Sequence, residues 1–285
     1  MLGFVYALAA AFFSSTSDAL CKKALDQHTP LLTAWVRFAY ATPFLAASLF
    51  FVDLPPADRT FWELLAALVP LEILAVILYM RALKMSSLSL TVPFLALTPA
   101  FTLASSFLLL GEVPDRSGLA GILLIVLGAY LLNVHLSREG VLEPLRAIVR
   151  ERGSLLMIGV AFLYSITSSM GKLAIQHSSA AFMSVVYLPI LSLAFLPLLL
   201  RARVQMSDLR RGGTIFFLIG ASQAIMAFCH FHAVALILVS YMISVKRLGL
   251  VLSVVFGKVF FHEAHVKERI LGSCMMLFGV MLILI

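Results

Sequence analysis

Slid by 151 residues, this chain lies on itself. The stretch Ala82–Leu132 then meets Ala233–Ile283 without a gap, pairing Gly111-Glu112 with His262-Glu263, Gly121 with Gly272, Gly128 with Gly279 and Ser89 with Ser240. A shift of 150 aligns the earlier parts, with Phe12, Ser15, Lys22 and Ala24 on Phe162, Ser165, Lys172 and Ala174. Both copies are strings of apolar residues broken by proline, glycine and charge. About 20 such residues span a bilayer, and the breaks leave ten candidate spans: 2–21, 31–52, 62–80, 87–110, 117–134, 154–174, 180–200, 213–231, 236–260 and 268–285. Five fall in each copy. Five is odd, so the second copy enters the membrane in the opposite sense to the first. The expected fold is an all-α polytopic membrane bundle of ten transmembrane helices in two inverted five-helix repeats. The expected division is a first repeat over 1–135, a basic linker over 136–153 and a second repeat over 154–285.

Composition names the solvent. The chain has 285 residues, of which 62% are hydrophobic and only 12% charged, and its mean hydropathy is +1.05. A soluble domain carries about 25% charged residues to cover itself; this chain cannot, so lipid must surround it and its backbone must be helical. The apolar runs are continuous, which argues against the alternating strands of an outer-membrane barrel. Cys21, Cys229 and Cys274 sit in or beside apolar segments and read as small hydrophobes, with no disulfide framework and no metal-ligand spacing. The net charge of +7 fits basic loops beside anionic head groups better than nucleic acid, which is not an expected partner. The apolar start Leu2–Leu20 has no Lys or Arg before it, so cleavage as a signal peptide is not expected. No phosphate-binding loop or cofactor motif is present, so movement of a solute by this chain would draw on a gradient or on exchange.

Lys and Arg concentrate in the odd-numbered loops, including Arg138, Arg146, Arg150 and Arg152 of the linker and Arg201, Arg203, Arg210 and Arg211 after span seven; the even loops hold Arg59, Arg116 and Lys172. By that count the odd loops face the cytoplasm and both termini lie outside. The short loops and uncleaved start fit a bacterial inner membrane.

Charge inside a bilayer faces a cavity or a partner. Lys246 and Arg247 fall near the middle of span nine, and Ser240, Ser244 and Arg247 share a helix face by their i, i+4, i+7 spacing. They read as a site for a carboxylate or phosphate, or as an internal ion pair with Glu72 or Asp18. Glu72 lies mid-span three with Tyr79 seven residues on, and the repeat places Gln223 and His230 at the equivalent positions of span eight. Two matched faces read as opposite walls of one cavity, or as an interhelical hydrogen-bond network. A coupling proton carried by Glu72 or His230 is a further reading. Asp18, one turn before Lys22, pairs with that lysine or belongs to the cavity. The Ser and Thr residues of spans one and six read as close-packing contacts. Pro93 and Pro99 interrupt span four, and Pro189 and Pro197 span seven. Lys22, Lys23 and Lys172 read first as interfacial anchors and second as charges at the cavity mouth, and Glu112 and Glu263 as turn residues. His262, Glu263 and His265 read as a solvated loop and not a metal site.

The repeated segment also carries a resemblance. Ala82-Leu83-Lys84-Met85-Ser86-Ser87 leads into a helix with Thr98-Pro99, then Leu110-Gly111-Glu112, Gly121 and Leu127-Gly128-Ala129; the second copy keeps the frame and ends in His262-Glu263. This resembles the EamA-type repeat of the drug/metabolite transporter superfamily, and Arg37 near the start of span two fits that pattern. The resemblance covers essentially the whole chain. It implies a central cavity lined chiefly by spans one to four and six to nine, a small-molecule substrate, and both termini in the cytoplasm, against the charge count. The second copy departs from the pattern in lacking the glycine of Gly-Glu and the proline matching Pro99, where Leu250 stands.

The expectation is a secondary transporter that moves a small polar metabolite, anionic or zwitterionic, by alternating access. Its expected substrate contacts are Arg37, Glu72, Tyr79, Gln223, His230, Ser240, Ser244, Lys246 and Arg247. A flippase for a lipid-linked headgroup is the alternative. No HExxH, GxSxG or paired-Asp motif supports an enzyme.

Overall fold

A computed structural model describes residues 1–48, 57–86, 92–131, 152–204, 206–252, 256 and 270–284. They are helical almost throughout. Span one is the helix Leu2–Ala24 and span two a broken pair, Pro30–Ala39 and Thr42–Ser48. Span three is Arg59–Met85; span four is a 3-10 segment, Val92–Leu97, followed by the α-helix Thr98–Leu110; span five is Arg116–Leu131. The second repeat follows as Arg152–Gln176, Ala180–Arg201, Met206–Leu236, Val239–Lys246 with its continuation, and Ile270–Leu284. Five helices are each long and apolar enough to cross a bilayer, and shorter apolar pieces make up the rest. Most of the linker, and His262, Glu263 and His265, lie outside the described residues.

Side chains set the ends of these helices. The Thr29 hydroxyl accepts from the Leu32 amide at 3.3 Å and Pro30 takes the first turn of span two. Its repeat partner Ser179 accepts from the Phe182 amide at 3.0 Å and starts span seven. Asp58 caps span three through the Phe61 amide at 2.9 Å. Span four closes at Gly111, whose φ of 68° lies in the left-handed region that glycine adopts without a Cβ clash.

Packing follows the duplication. Span one lies along span eight and span six along span three; span four packs on six and nine on one; spans two and seven meet each other. Exchanging the repeats turns the first pairing into the second and the third into the fourth, and leaves that of spans two and seven unchanged, as a two-fold axis between them requires.

The fifth and tenth spans fix the sense of that axis. A methyl built on Gly121 would lie 2.5 Å from the Gly279 carbonyl oxygen, and one on Gly128 would lie 2.6 Å from that of Gly272. In sequence Gly121 corresponds to Gly272 and Gly128 to Gly279. Contact is therefore made crosswise, so the two equivalent helices run antiparallel and the repeat is inverted. The missing side chains let the backbones touch, which is how helices gain dispersion energy where lipid offers no hydrophobic drive.

Three breaks depart from the sequence reading. Span two turns at Tyr40 and Ala41. Span eight begins at Met206, with Gly213 non-helical at φ 33°. Span nine stops as an α-helix at Lys246 and continues through i to i−3 bonds, from Leu248 to Val245, Leu250 to Arg247 and Val251 to Leu248. That tightening falls at the repeat position of the 3-10 segment in span four. Pro99 sits in the first turn of Thr98–Leu110, where its missing N–H costs nothing. Pro189 and Pro197, in contrast, lie within one continuous helix.

Replacing Gly121 or Gly128 with Ala is expected to destabilise the protein by about 1–3 kcal/mol, the usual range for overpacking. Gly159→Ala, where a methyl meets nothing within 4 Å, is expected to melt within a degree or so of the wild type. Thermal unfolding of the three variants in one detergent checks the crossing.

Candidate functional site

Side chains from spans one to four and six to nine surround one cavity between the repeats, and among the described residues spans five and ten contribute none. About 100 Å³ is open to the centre of a water molecule, room for several waters or a small metabolite.

The cavity wall is two-fold in position and not in chemistry. Repeat-equivalent positions face it together: Ser14 with Tyr164, Asp18 with Ser168, Arg37 with Tyr187, Glu72 with Gln223, Tyr79 with His230, and Leu95 with Lys246. Where one member of a pair is charged, the other is neutral.

Arg37 organises the first-repeat wall. Its Nη2 lies 3.2 Å from Asp18 Oδ1, its Nε donates to Gln223 Oε1 at 2.6 Å, and its Cζ sits 5.6 Å from the centre of the Tyr79 ring. Arg37 and Asp18 are only 6% exposed each, and a guanidinium so buried needs this company. Asp18 thus pairs across to span two and not with Lys22 on its own helix. Arg37 Nη1 is buried without a hydrogen-bond partner.

Across the cavity, Lys246 Nζ lies 3.4 Å from the Met226 sulfur, a weak acceptor for an ammonium. Arg247 Nη2 donates to Thr98 Oγ1 at 2.9 Å, while its Nε has no partner. Among the described residues neither cation forms an ion pair; Asp18, one expected partner, is engaged with Arg37. Thr98 is the repeat equivalent of Gly249, so Arg247 is steadied by the other repeat just where both spans tighten. Glu72 faces the same space, as do Thr167 and Tyr187.

Seven of the nine expected contacts therefore line the cavity: Arg37, Glu72, Tyr79, Gln223, His230, Lys246 and Arg247. Ser240 and Ser244 lie outside the lining. Both are fully buried, and Ser244 Oγ donates back to the Ser240 carbonyl at 2.7 Å. Arg247 keeps their register, its amide bonding to the Ile243 carbonyl at 3.1 Å, but only its long side chain lines the cavity. Tyr164, Tyr187 and Thr167 line the cavity and were passed over; the repeat register carried a signal for Tyr187, since it falls on Arg37 at a shift of 150. Others of the small hydroxyl residues make packing contacts, as Ser15 Oγ donates to Gly249 O at 2.7 Å and Ser105 Oγ to Ser165 O at 2.9 Å, while Ser14, Thr167 and Ser168 line the cavity. Cys21 and Cys229 are buried, whereas Cys274 is exposed on its helix.

Alternation of the spans puts one set of ties on the face where the chain starts. Glu112 Oε1 lies 2.5 Å from Lys172 Nζ, and its Oε2 accepts from the Val239 amide at 2.9 Å. Lys172 also donates to the Ile237 carbonyl at 2.8 Å. Asp58 Oδ2 lies 2.8 Å from His177 Nδ1, and the Tyr241 hydroxyl donates to Asp115 Oδ1 at 2.9 Å. All of these but the Lys172–Ile237 bond join one repeat to the other. Gly171 and Val234, beside this cluster in sequence, line the cavity. Lys22 does the equivalent capping on the opposite face within its own repeat, donating to the Leu83 and Ser86 carbonyls at 2.5 and 2.7 Å. Ser86 is the repeat equivalent of Ile237. Both lysines therefore cap helix ends, a more specific role than the interfacial anchoring expected of them.

A family model for EamA-like transporters matches residues 1–134 and again 151–285. The chain belongs to the EamA-like transporter family. It is a multi-pass integral membrane protein of the drug/metabolite transporter type, with two copies of the family repeat. Among curated proteins nothing matches it. One solved crystal structure superposes on this EamA-like chain with a TM-score of 0.73 at 17% sequence identity, covering 99% of this chain and 98% of that one; the likeness is one of fold.

Two predictions follow from the tied face. Glu112 and Lys172 side chains are 9% and 13% exposed, and removing one partner of a buried pair costs about 3–5 kcal/mol. Glu112→Gln and Lys172→Met are each expected to lower the melting temperature, and the double variant to fall by less than the sum, read from a double-mutant cycle. The loop carboxylates respond to acid. The Phe61 amide and then His177 hold Asp58 below the usual carboxylate range, and the Gly118 amide, Tyr241 and Ser117 do so for Asp115. A lowered native pKa adds stability above the unfolded value, about 3.9, and loses it as pH falls through the native value. Melting curves of Asp58→Asn and Asp115→Asn are expected to drop less than the wild type's across that acid window.

Proposed function

We propose that this EamA-like protein is a secondary transporter of a small polar anionic metabolite, driven by a gradient or by exchange, in a bacterial inner membrane. The observation that carries the reading is the Lys246–Arg247 edge of the cavity, without an ion pair among the described residues: two adjacent cations, one against a thioether and the other against a single hydroxyl. An internal ion pair would have answered their burial. A substrate carboxylate or phosphate answers it instead, since guanidinium and ammonium donors hold such groups through charge-assisted bonds. Arg37, Glu72, Tyr79, Gln223 and His230 complete the proposed substrate wall.

Alternating access gives the two-fold frame a use. Polar ties between the repeats gather on the face where the chain starts, next to the cavity residues Gly171 and Val234. In the proposed cycle this is the closed face, and the repeats rock apart there as the other face closes. Tightened turns in spans four and nine, beside the cavity, are natural hinges.

A thermal-shift screen of the purified protein tests the reading with organic acids, amino acids, phosphorylated sugars, cations and lipid-headgroup analogues. A ligand at 100 times its dissociation constant adds about 2.7 kcal/mol of stability. An anion is expected to raise the wild-type melting temperature and to lose that effect in Lys246→Met and Arg247→Met, both still folded. Stabilisation by cations alone sinks the anion reading. Stabilisation by headgroup analogues alone turns it toward lipid flipping.

A further inference from the structure

The charge on the cavity wall limits what it can enclose. Its formally charged side chains are Asp18, Arg37, Glu72, Lys246 and Arg247, and with His230 neutral they sum to +1. The sum is robust: a proton passed from Lys246 to Glu72 leaves it unchanged. Within it, Asp18 and Arg37 cancel at 3.2 Å, so the surplus sits with Lys246 and Arg247, facing Glu72.

A closed cavity in a low-dielectric surround is most stable when the charges inside it balance. A monoanion brings the filled cavity to zero. A dianion leaves −1 and a neutral molecule leaves +1. A phosphate monoester carries close to two charges near neutrality, so it overshoots; a monocarboxylate fits.

The body of the substrate is constrained separately, by hydrogen bonding. Arg37 Nη1 and Arg247 Nε are buried without partners, and these residues are 6% and 8% exposed. Buried polar groups left unmade are costly, so something normally answers them. Guanidinium nitrogens donate only, which calls for acceptors on the ligand. The Glu72 carboxylate on the same wall accepts hydrogen bonds only, and so takes a donor from the ligand. A hydrocarbon tail supplies neither, whereas a hydroxyl supplies both.

From the charge sum and the orphaned donors we infer that the substrate class is a small hydroxylated monocarboxylate. Its carboxylate lies at Lys246 and Arg247, and its hydroxyls lie between Glu72 on one side and Arg37 and Tyr79 on the other. This inference rests on the anion-transporter reading above and narrows it.

Calorimetric titration of the full-length protein in detergent tests it with a matched three-carbon series: glycerate, propanoate, tartronate and glycerol. Gluconate, glucarate and glucose repeat the comparison at six carbons. Glycerate is expected to bind at least tenfold tighter than the other three, or gluconate at least tenfold tighter than glucarate and glucose. Glu72→Gln raises the sum to +2 and is expected to reverse the order, favouring tartronate over glycerate or glucarate over gluconate. Asp18→Asn makes the same charge change if the first variant fails to fold. Tightest binding of a dianion to the wild type overturns the charge argument and leaves the anion-transporter reading standing. Propanoate equal to glycerate overturns the hydroxylated body. Tightest binding of glycerol or glucose, or no binding by any of the seven to a normally melting protein, overturns both readings.

Discussion

No water reaches the hydrocarbon layer of a bilayer, and the rest of this structure depends on that. Every backbone amide and carbonyl must find its partner within the protein, so the described residues are helical nearly everywhere, and several helix ends have their groups answered by side chains. The carbonyls at the end of span three go to Lys22 and one at the end of span eight to Lys172. The tightened turn of span nine exchanges i−4 bonds for i−3 bonds. The same dry surround makes each buried charge conspicuous. Arg37 is acceptable because Asp18, Gln223 and Tyr79 enclose it; Lys246 and Arg247, lacking such company, are where a ligand has most to offer.

Duplication supplies a frame and divergence supplies a site. The antiparallel glycine crossing of spans five and ten holds the repeats back to back, away from the cavity. Toward the cavity, equivalent positions face each other with different chemistry, Glu72 against Gln223 and Leu95 against Lys246. A strictly symmetric wall would double each charge on a single axis and repel itself. Placing carboxylates on the first repeat and adjacent cations on the second gives the cavity a polarity along which a substrate can be oriented.

Much of this was legible before any coordinates. The matched pairs Glu72 with Gln223 and Tyr79 with His230 follow from repeat register alone, because equivalent residues of inverted repeats lie at matched distances from the axis. Lys246 and Arg247 were marked by their distance from either end of an apolar run. Ser240 and Ser244 share Arg247's helix face but lie outside the lining, since a shared face does not say how far a short hydroxyl reaches, and Ser244 turns its own hydroxyl back onto the Ser240 carbonyl. Asp18 was left between two partners, because a neighbour one turn away is visible in sequence and a neighbour on another span is not. Glu112 was identified as a turn residue, yet its reach to Lys172 and the Val239 amide joins segments far apart in the chain.

The sequence by itself determined the solvent, the helical content, the ten-span count and, through an odd number of spans per copy, the inversion of the repeat. These are properties of composition and period, set by local hydrogen bonding and the thickness of a bilayer. Tertiary structure alone decided which charges cancel and which remain open. Ion pairing falls off over a few ångströms, and the partners of Arg37, Lys172 and Arg247 sit on helices that packing, not chain order, brings within that reach.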